Sequence, residues 1–394
     1  MSKREVVIVS AVRTAIGEYG GSLKDIAPTD LAGLVIKEAV ERAGIDSEDV
    51  GHCVIGSVTH SDRKDMYMSR AAAIKGGLPE ATPAVTINRL CGSGLQSIIS
   101  AAQLVLLDDC DVAVAGGAES MSRVPYWVPK ARFGVRMGDT NMVDPMVGAL
   151  TCPIGDTHMG ITAENVAEKW NITREEQDAL ALESHNRAEN AINEKRFVDQ
   201  ILPVELKTRK GVTIFDQDEH VRFGAKPENF SKLRPAFKKD GSVTAGNASG
   251  INDAAAAIVM MDKSVAEAKG LKPMAKLVGY SFAGVEPKYM GIGPVPAIKT
   301  LLEKANLSVD DIDVWEVNEA FASQALAVVK DLDIDPAKVN PNGSGISLGH
   351  PIGATGSVIT VKALYELQRT SGKYAVVSMC IGGGQGIAAL FERV

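Results

Sequence analysis

A cysteine set between a β-favouring run and an apolar helix is the first place in this 394-residue chain where chemistry could sit. Ala84-Val85-Thr86-Ile87 leads into Asn88-Arg89-Leu90-Cys91-Gly92-Ser93-Gly94-Leu95-Gln96, and an apolar helix runs on through Leu104. A thiol at such a junction lies in the positive field of the helix N-terminus, which lowers its pKa. Gly92 and Gly94 permit a tight turn and close approach by a substrate. A cysteine elsewhere reads first as a buried structural group, but the junction and its glycines turn Cys91 toward a nucleophile. A histidine supplies the matching base: Asn342-Gly343-Ser344-Gly345 precedes Gly349-His350-Pro351-Ile352-Gly353-Ala354-Thr355-Gly356. An imidazole wrapped by glycines and a proline is placed to deprotonate a thiol that faces it.

Two further motifs complete the set. Met379-Cys380-Ile381-Gly382-Gly383-Gly384-Gln385-Gly386 invites a dinucleotide-loop reading, which fails because too little chain follows Gly386 for the helix and strand such a unit needs. Its glycines can instead expose backbone N–H groups to an oxyanion. In Val317-Asn318-Glu319-Ala320-Phe321-Ala322, Asn318 stands at a strand end, where it could orient a water or cap a helix.

The elements that must position these groups recur. At an offset of 262 residues, Glu41-Arg42-Ala43-Gly44-Ile45 matches Glu303-Lys304-Ala305-Asn306-Leu307, and Ser47-Glu48-Asp49-Val50 matches Val309-Asp310-Asp311-Ile312. Each copy reads as an amphipathic helix, a Gly or Asn C-cap, an acidic turn and a buried strand, Cys53 to Val58 or Val314 to Val317. A strand Val112 to Ala115 then meets Gly116-Gly117, as Val376 to Met379 leads into Gly382-Gly383. Apolar strands, Ala255 to Met261 and Ile387 to Phe391, close the copies. The first copy is longer between its last two strands by about 130 residues, a domain-sized insertion. Helices in that insertion include one opening at the capping box Thr173-Arg174-Glu175-Glu176, with His185 on its polar, solvent-facing surface. A basic, loop-like stretch follows from Lys207 to Lys239. Strands alternating with helices argue for parallel-rich α/β layers. The same offset carries Cys91 to Gly353, within a turn of His350, so the two copies present thiol and imidazole from equivalent turns.

Composition removes whole classes. Glycine, 38 of 394 residues, exceeds the usual ~7 %, without the Gly-X-Y period of collagen. The longest apolar run, Ala254 to Met261, is far short of a membrane span. A net charge of −7 argues against a nucleic-acid binder. Five cysteines without a CxxC pair argue against a disulfide scaffold, a redox pair or a zinc ribbon, and no metal ligand set is expected. Met1 to Ala11 reads as a strand rather than a signal peptide, and the last residues, Phe391 to Val394, are not a peroxisomal address. A reducing, cytoplasmic setting is the expectation.

Together the motifs resemble the thiolase family, in its acetyl-CoA acetyltransferase or β-ketothiolase type. Val9-Ser10-Ala11-Val12-Arg13-Thr14, Gly116-Gly117-Ala118-Glu119-Ser120-Met121-Ser122, His158-Met159-Gly160 and Gly246-Asn247-Ala248-Ser249-Gly250 extend the resemblance from end to end. It implies an α/β fold with a duplicated, layered αβαβα core and an inserted loop domain. Its expected parts are an N-terminal half over residues 1–120 continued by 251–270, a CoA-binding insert over 121–250, and a C-terminal half over 271–394. It implies Cys91 as acyl-accepting nucleophile, His350 as its base, and Cys380 as a second acid/base that takes an α-proton from acetyl-CoA. Asn318 would hold a water beside the enolate, and the N–H groups of Cys91 and Gly382 would face the oxyanion. Arg222 is expected near the adenine end of CoA, Ser249 near the pantetheine arm and His158 near the thioester. Leu150, Met159, Phe237, Ala320 and Phe321 would line the pocket. No cofactor is bound permanently; coenzyme A and acetyl-CoA are substrates, and a homotetramer is implied. A cysteine hydrolase is the generic alternative for a Cys/His pair but would not need Cys380. The closer competing readings are a ketoacyl synthase-like condensing enzyme and a non-catalytic acyl-CoA-binding protein. The first would carry a second histidine, or an asparagine, where Cys380 stands, and the second would show erosion of Cys91, His350 or Cys380.

Overall fold

The computed structural model describes residues 4–209 and 211–394, so the first three residues of the expected N-terminal strand lie outside it. The strand itself, β1, spans Val6–Thr14. Helix α1 (Pro28–Ala43) starts with proline at its first position, ends on Gly44 in the left-handed conformation, and buries Leu31, Val35, Ile36 and Ala39 along one face. Strand β2 (His52–Gly56), helix α2 (Met68–Lys75), strand β3 (Ala84–Ile87), helix α3 (Ser93–Leu106) and strand β4 (Val112–Ser120) follow. The inserted region carries helices α4 (Met159–Lys169) and α5 (Arg174–Asn193), the latter opened by the expected capping box at Thr173 and Glu176. The chain returns through β5 (Asn252–Asp262) and β6 (Ala275–Gly284). Then come α6 (Pro294–Ala305), β7 (Val314–Val317), α7 (Ala322–Leu332), α8 (Thr355–Thr370), β8 (Tyr374–Ile381) and β9 (Gln385–Arg393).

The strands lie in the order β7-β8-β9-β6-β1-β5-β4-β2-β3. β2 with β3, β2 with β4 and β7 with β8 pair in parallel, as does the short Ile201–Leu202 strand with the end of β1; the central pairs are antiparallel, so the sheet is mixed rather than parallel-rich. The departure has a physical cause. The last strand of each copy returns from a hairpin or from the insertion instead of from a crossover helix, and such a return runs antiparallel. Helices α3 and α8 pack on each other between the two halves of the sheet, α1 and α2 cover one outer face, and α6 covers the other. Strand β5 is covered on both faces and is therefore buried at every position, which explains its unbroken apolar run.

The duplication is visible bond by bond. Gly44 and Asn306, 262 residues apart, are both left-handed helix caps, with φ of 67° and 54°. Asp49 accepts the N–H of Asp46 as Asp311 accepts that of Ser308. Gly51 N–H reaches Val112 O as Asp313 N–H reaches Tyr374 O. Cys53 pairs with Val114 in the register in which Trp315 pairs with Val376. Both first strands carry a bulge at the same step, between Ile8 and Ser10 and between Leu277 and Gly279. Where the copies meet, Gly94 packs on Ser357 and Gly356 on Leu95, pairs that exchange under the repeat. A side chain at either glycine would push α3 and α8 apart.

Three local expectations change. β4 does not stop at Ala115 but continues through Gly116 and Gly117 to Ser120. The basic stretch from Lys207 to Lys239 is not all loop: Val204–Thr208 pairs antiparallel with Gly211–Phe215, and Pro227–Ser231 is a turn of helix. His185 does not face solvent; it is 1 % exposed. Helix α5 buries Gln177, Ala181, Ser184, His185, Ala188 and Ala191, a stripe too small and polar to register as an apolar face. Arg13 and Asp218, both fully buried, form a bidentate ion pair that ties the insertion to β1.

Candidate active site

Cys91 sits on a sharp elbow between β3 and α3. Leu90 is in the left-handed region at φ 47°, an uncommon conformation for a branched residue, and three bonds hold it there. Its N–H donates to Asn88 Oδ1 (2.9 Å), its carbonyl accepts from Ser93 Oγ (2.6 Å), and that hydroxyl accepts from Arg89 N–H (2.9 Å). The N–H groups of Cys91 and Gly382 converge on the Cys91 sulfur. Burial pushes the thiol up to about 11 against the pull of those two N–H groups, and the nearby Glu119 carboxylate adds to the rise. The field of the helix N-terminus therefore does not prevail: the resting group is a neutral thiol and needs a base.

His350 is a group of the right kind. Its ring Nδ1 lies 2.6 Å from Thr355 Oγ1, and that hydroxyl donates its one hydrogen to Pro351 O at 2.9 Å. The hydroxyl can then only accept from the ring, so Nδ1 carries the proton and Nε2 presents a lone pair. Nε2 is 3.5 Å from Asn318 Nδ2, and the backbone N–H of His350 donates to Asn252 Oδ1 (2.9 Å). Burial lowers the imidazole to about 4, so it is neutral, and able to accept a proton, throughout the neutral range.

Strand β8 brings Cys380 beside Cys91. The thiol is buried, and both burial and the neighbouring Cys91 push it up, while its own N–H pulls it down. Gly382 to Gly384 close the hairpin to β9, with Gly383 and Gly384 both at φ 82°, a conformation that glycine alone adopts without strain. Asn318 follows β7 directly, fixed by its N–H to Ser378 O (3.0 Å), and its Oδ1 has no partner among the described residues.

The insertion supplies an apolar wall. Met159, Ala248, Ala320, Phe321, Met290 and Cys380 form one buried cluster, with Phe237 packed against it. His158 caps α4 by accepting the Gly160 N–H and stacks on Phe237 at 4.9 Å. Leu150 O accepts the Met159 N–H, which places Leu150 beside this wall. Ser249 N–H donates to Ala320 O (3.0 Å). Arg222 is not brought into the cluster; it is exposed on a loop whose His220 ring packs on Gly250, and its N–H is held by His185 Nδ1. Burial, with Arg222 nearby, lowers His185 to about 3. Residues that the motifs left without a role also join the site: Met290 in the wall, Thr355 and Asn252 around His350, and Glu119 behind the turn. A buried acid within an otherwise apolar strand was the one signal that could have pointed to Glu119.

An N-terminal thiolase domain model matches residues 6–264 and a C-terminal thiolase domain model matches 271–393. The chain is 63 % identical to the beta-ketothiolase BktB of Cupriavidus necator, over 99 % of this chain and 100 % of that one. It superposes on a crystal structure of the Bacillus anthracis acetyl-CoA acetyltransferase with a TM-score of 0.97 at 47 % identity, covering 100 % and 99 % of the two chains. Human mitochondrial 3-ketoacyl-CoA thiolase in complex with CoA gives 0.96 at 45 %, covering 99 % and 98 %.

Proposed function

The chain belongs to the thiolase family, and on that premise we propose how its own residues divide the reaction. It is an acyl-CoA C-acetyltransferase of the β-ketothiolase type, joining acetyl-CoA to an acyl-CoA and cleaving 3-oxoacyl-CoA with CoA. The ketoacyl synthase-like and non-catalytic readings are not favoured. The observation that carries the division of labour is the convergence of two peptide N–H groups on the Cys91 sulfur, beside a second buried thiol.

In the first half-reaction His350 Nε2 takes the Cys91 proton, and the sulfur attacks the thioester carbon of an acyl-CoA. The oxyanion forms against the N–H groups of Cys91 and Gly382, a preorganised pair that needs no reorientation. CoA leaves as its thiol, taking up the proton. In the second half-reaction the freed His350 Nε2 takes the Cys380 proton, and the resulting thiolate removes an α-proton from acetyl-CoA, leaving a protonated Nε2 to face the developing charge. The developing enolate oxygen is met by His350 and by a water held at Asn318. The carbanion attacks acyl-Cys91, whose sulfur departs and is reprotonated. Thiolysis runs the same steps backwards.

Acyl-CoA and CoA bind as substrates, with Ser249 proposed at the pantetheine arm, His158 at the thioester, and Leu150, Met159, Phe237, Ala320 and Phe321 around the acyl group. Arg222 is proposed at the adenine end, where its exposure suits a mobile polyanion. The reaction as divided here uses no resident cofactor. Residues 1–120 with 251–270, 121–250 and 271–394 are proposed as the working units, supported by β5 pairing with β4 across the insertion. A homotetrameric assembly is supported by the exposed Trp127, Phe133, Met137 and Met142. No helix among the described residues is long and apolar enough to cross a membrane, and a nucleophilic thiol suits a reducing, cytoplasmic setting.

The test is direct. Incubation with acetyl-CoA followed by digestion should put one acetyl mass on the peptide that contains Cys91; an unmodified Cys91 peptide under turnover conditions refutes the assignment. A second expectation arises from the tautomer. Thr355→Val keeps the shape but strips the ring N–H of its acceptor, a loss of ~1–3 kcal/mol for a buried donor. Turnover should fall about tenfold with KM for acetyl-CoA held, and Thr355→Ser should restore it. Equal kcat in Thr355→Val and wild type would show that the hydroxyl does not orient the base.

A further inference from the structure

Glu119 is a buried acid that the reaction as described does not use. It is fully inaccessible, at the end of β4. Its Oε1 accepts the N–H and the hydroxyl of Thr59 (3.1 and 2.6 Å), and its Oε2 accepts the N–H groups of Val58 (3.1 Å) and Gly353 (2.9 Å). Four donors on two oxygens is the full complement of a carboxylate, and no neutral amide or hydroxyl side chain can accept all four. Val58 and Thr59 follow β2 in the first half of the core; Gly353 belongs to the second half, three residues beyond His350. The Gly353 turn is the one whose Pro351 carbonyl also accepts Ala354 N–H, Thr355 N–H and the Thr355 hydroxyl. Gly117, two residues before Glu119, lies so close to Gly353 and Ala354 that a side chain there would collide with their backbone.

We propose that Glu119 is a positioning residue: it clasps the loop after β2 to the Gly353 turn and thereby holds His350 in register with Cys91. The proposal rests on the assignment of Cys91 and His350 given above. Burial raises Glu119 to about 7 against the pull of its four donors, and its charge in turn raises the Cys91 thiol. Cys91, Cys380 and His350 are the other titratable groups of the cluster. Glu119→Gln therefore acts in two opposite directions. It removes a negative charge near Cys91, which makes the thiol more acidic. It also offers an NH2 to donors that need an acceptor, which displaces the turn that carries the base.

The full-length enzyme with Glu119→Gln should show kcat lowered ~10–100-fold with KM for acetyl-CoA within about twofold, since displacing a base by an ångström costs up to ~10²-fold. The pH midpoint for alkylation of Cys91 by iodoacetamide, read on the Cys91 peptide, should move down. A loss of turnover with an unchanged alkylation midpoint, or an unchanged kcat, overturns the proposal. If Glu119→Gln does not fold, Thr59→Val keeps the carboxylate and removes one donor; it should lower kcat about threefold, and wild-type kcat in that variant also overturns the proposal. The acetyl label on wild-type Cys91 separates the two failures: its absence sinks the assignment of the nucleophile, whereas its presence with an inert Glu119→Gln substitution sinks only the clasp.

Discussion

Cys91→Ala is expected to abolish acyl transfer in both directions, with kcat falling by roughly 10⁴-fold or more, as when a covalent nucleophile is removed from a group that acts as a unit. The reason is geometric. The only N–H pair shown to converge on a sulfur among the described residues is aimed at Cys91, so an intermediate formed at any other thiol would lack that stabilisation. Cys53 is buried against Ser69 and raised to about 12, and Cys110 is raised to about 11 by burial, with Asp109 and Asp111 adding to the rise. Neither offers a substitute. The variant should still bind acetyl-CoA, because the residues proposed to hold it, Phe237, His158 and Ser249, are untouched, so its equilibrium affinity should stay within a few-fold of wild type. Steady-state thiolysis of acetoacetyl-CoA and intact-protein mass after exposure to acetyl-CoA read the two halves of this expectation. Residual turnover within tenfold of wild type, or an acetyl mass carried by the alanine variant, contradicts the assignment.

Cys380→Ser should separate the half-reactions. Its thiol is raised by burial and by Cys91, which makes its conjugate base strong enough to work on a weakly acidic α-C–H once His350 and Asn318 stabilise the enolate. A serine hydroxyl is close in size but a far weaker acid, so the required anion does not form. Condensation and thiolysis should drop ~10²–10⁴-fold, the range for loss of a general acid/base. Loading of acetyl onto Cys91 depends on His350 and the two N–H groups and should survive in the serine variant. Acetyl-Cys91 should therefore accumulate when Cys380→Ser is mixed with acetyl-CoA and be seen by peptide mass. Condensation of two acetyl-CoA at the wild-type rate would refute the second-base role. Loss of loading together with condensation would show that Cys380 serves the first half-reaction instead.

What could be read without the structure followed from local constraints. Gly92 and Gly94 after a β-favouring run, the glycines around His350 and those after Cys380 mark places where backbone must turn tightly or come close to another chain segment. Such demands are written in residue type at the position itself. The duplication was legible for the same reason: a left-handed cap at Gly44 and Asn306 and an acidic turn at Asp49 and Asp311 are short-range features that survive divergence of the core around them. Burial was less legible. His185 lies on a stripe of small and polar residues that buries because α7, the Gly345–Leu348 turn of helix and the segment carrying His220 and Phe230 pack on it, which no property of α5 alone announces.

The sequence by itself determined the chemistry available to this protein: which groups could be nucleophile, base and second acid/base, and that two like halves present them. Only the tertiary structure decided their protonation states. The helix field at Cys91 favours a thiolate, yet burial outweighs it, because desolvation depends on everything packed around the sulfur and not on the residues beside it in the chain. The same packing leaves His350 neutral and directs its proton to Thr355, which leaves Nε2 open to accept a proton, as the role proposed for it requires. The supports of that arrangement, Glu119 across 234 residues and Asn252 across 98, are contacts between distant segments, and such contacts exist only once the halves have closed on each other.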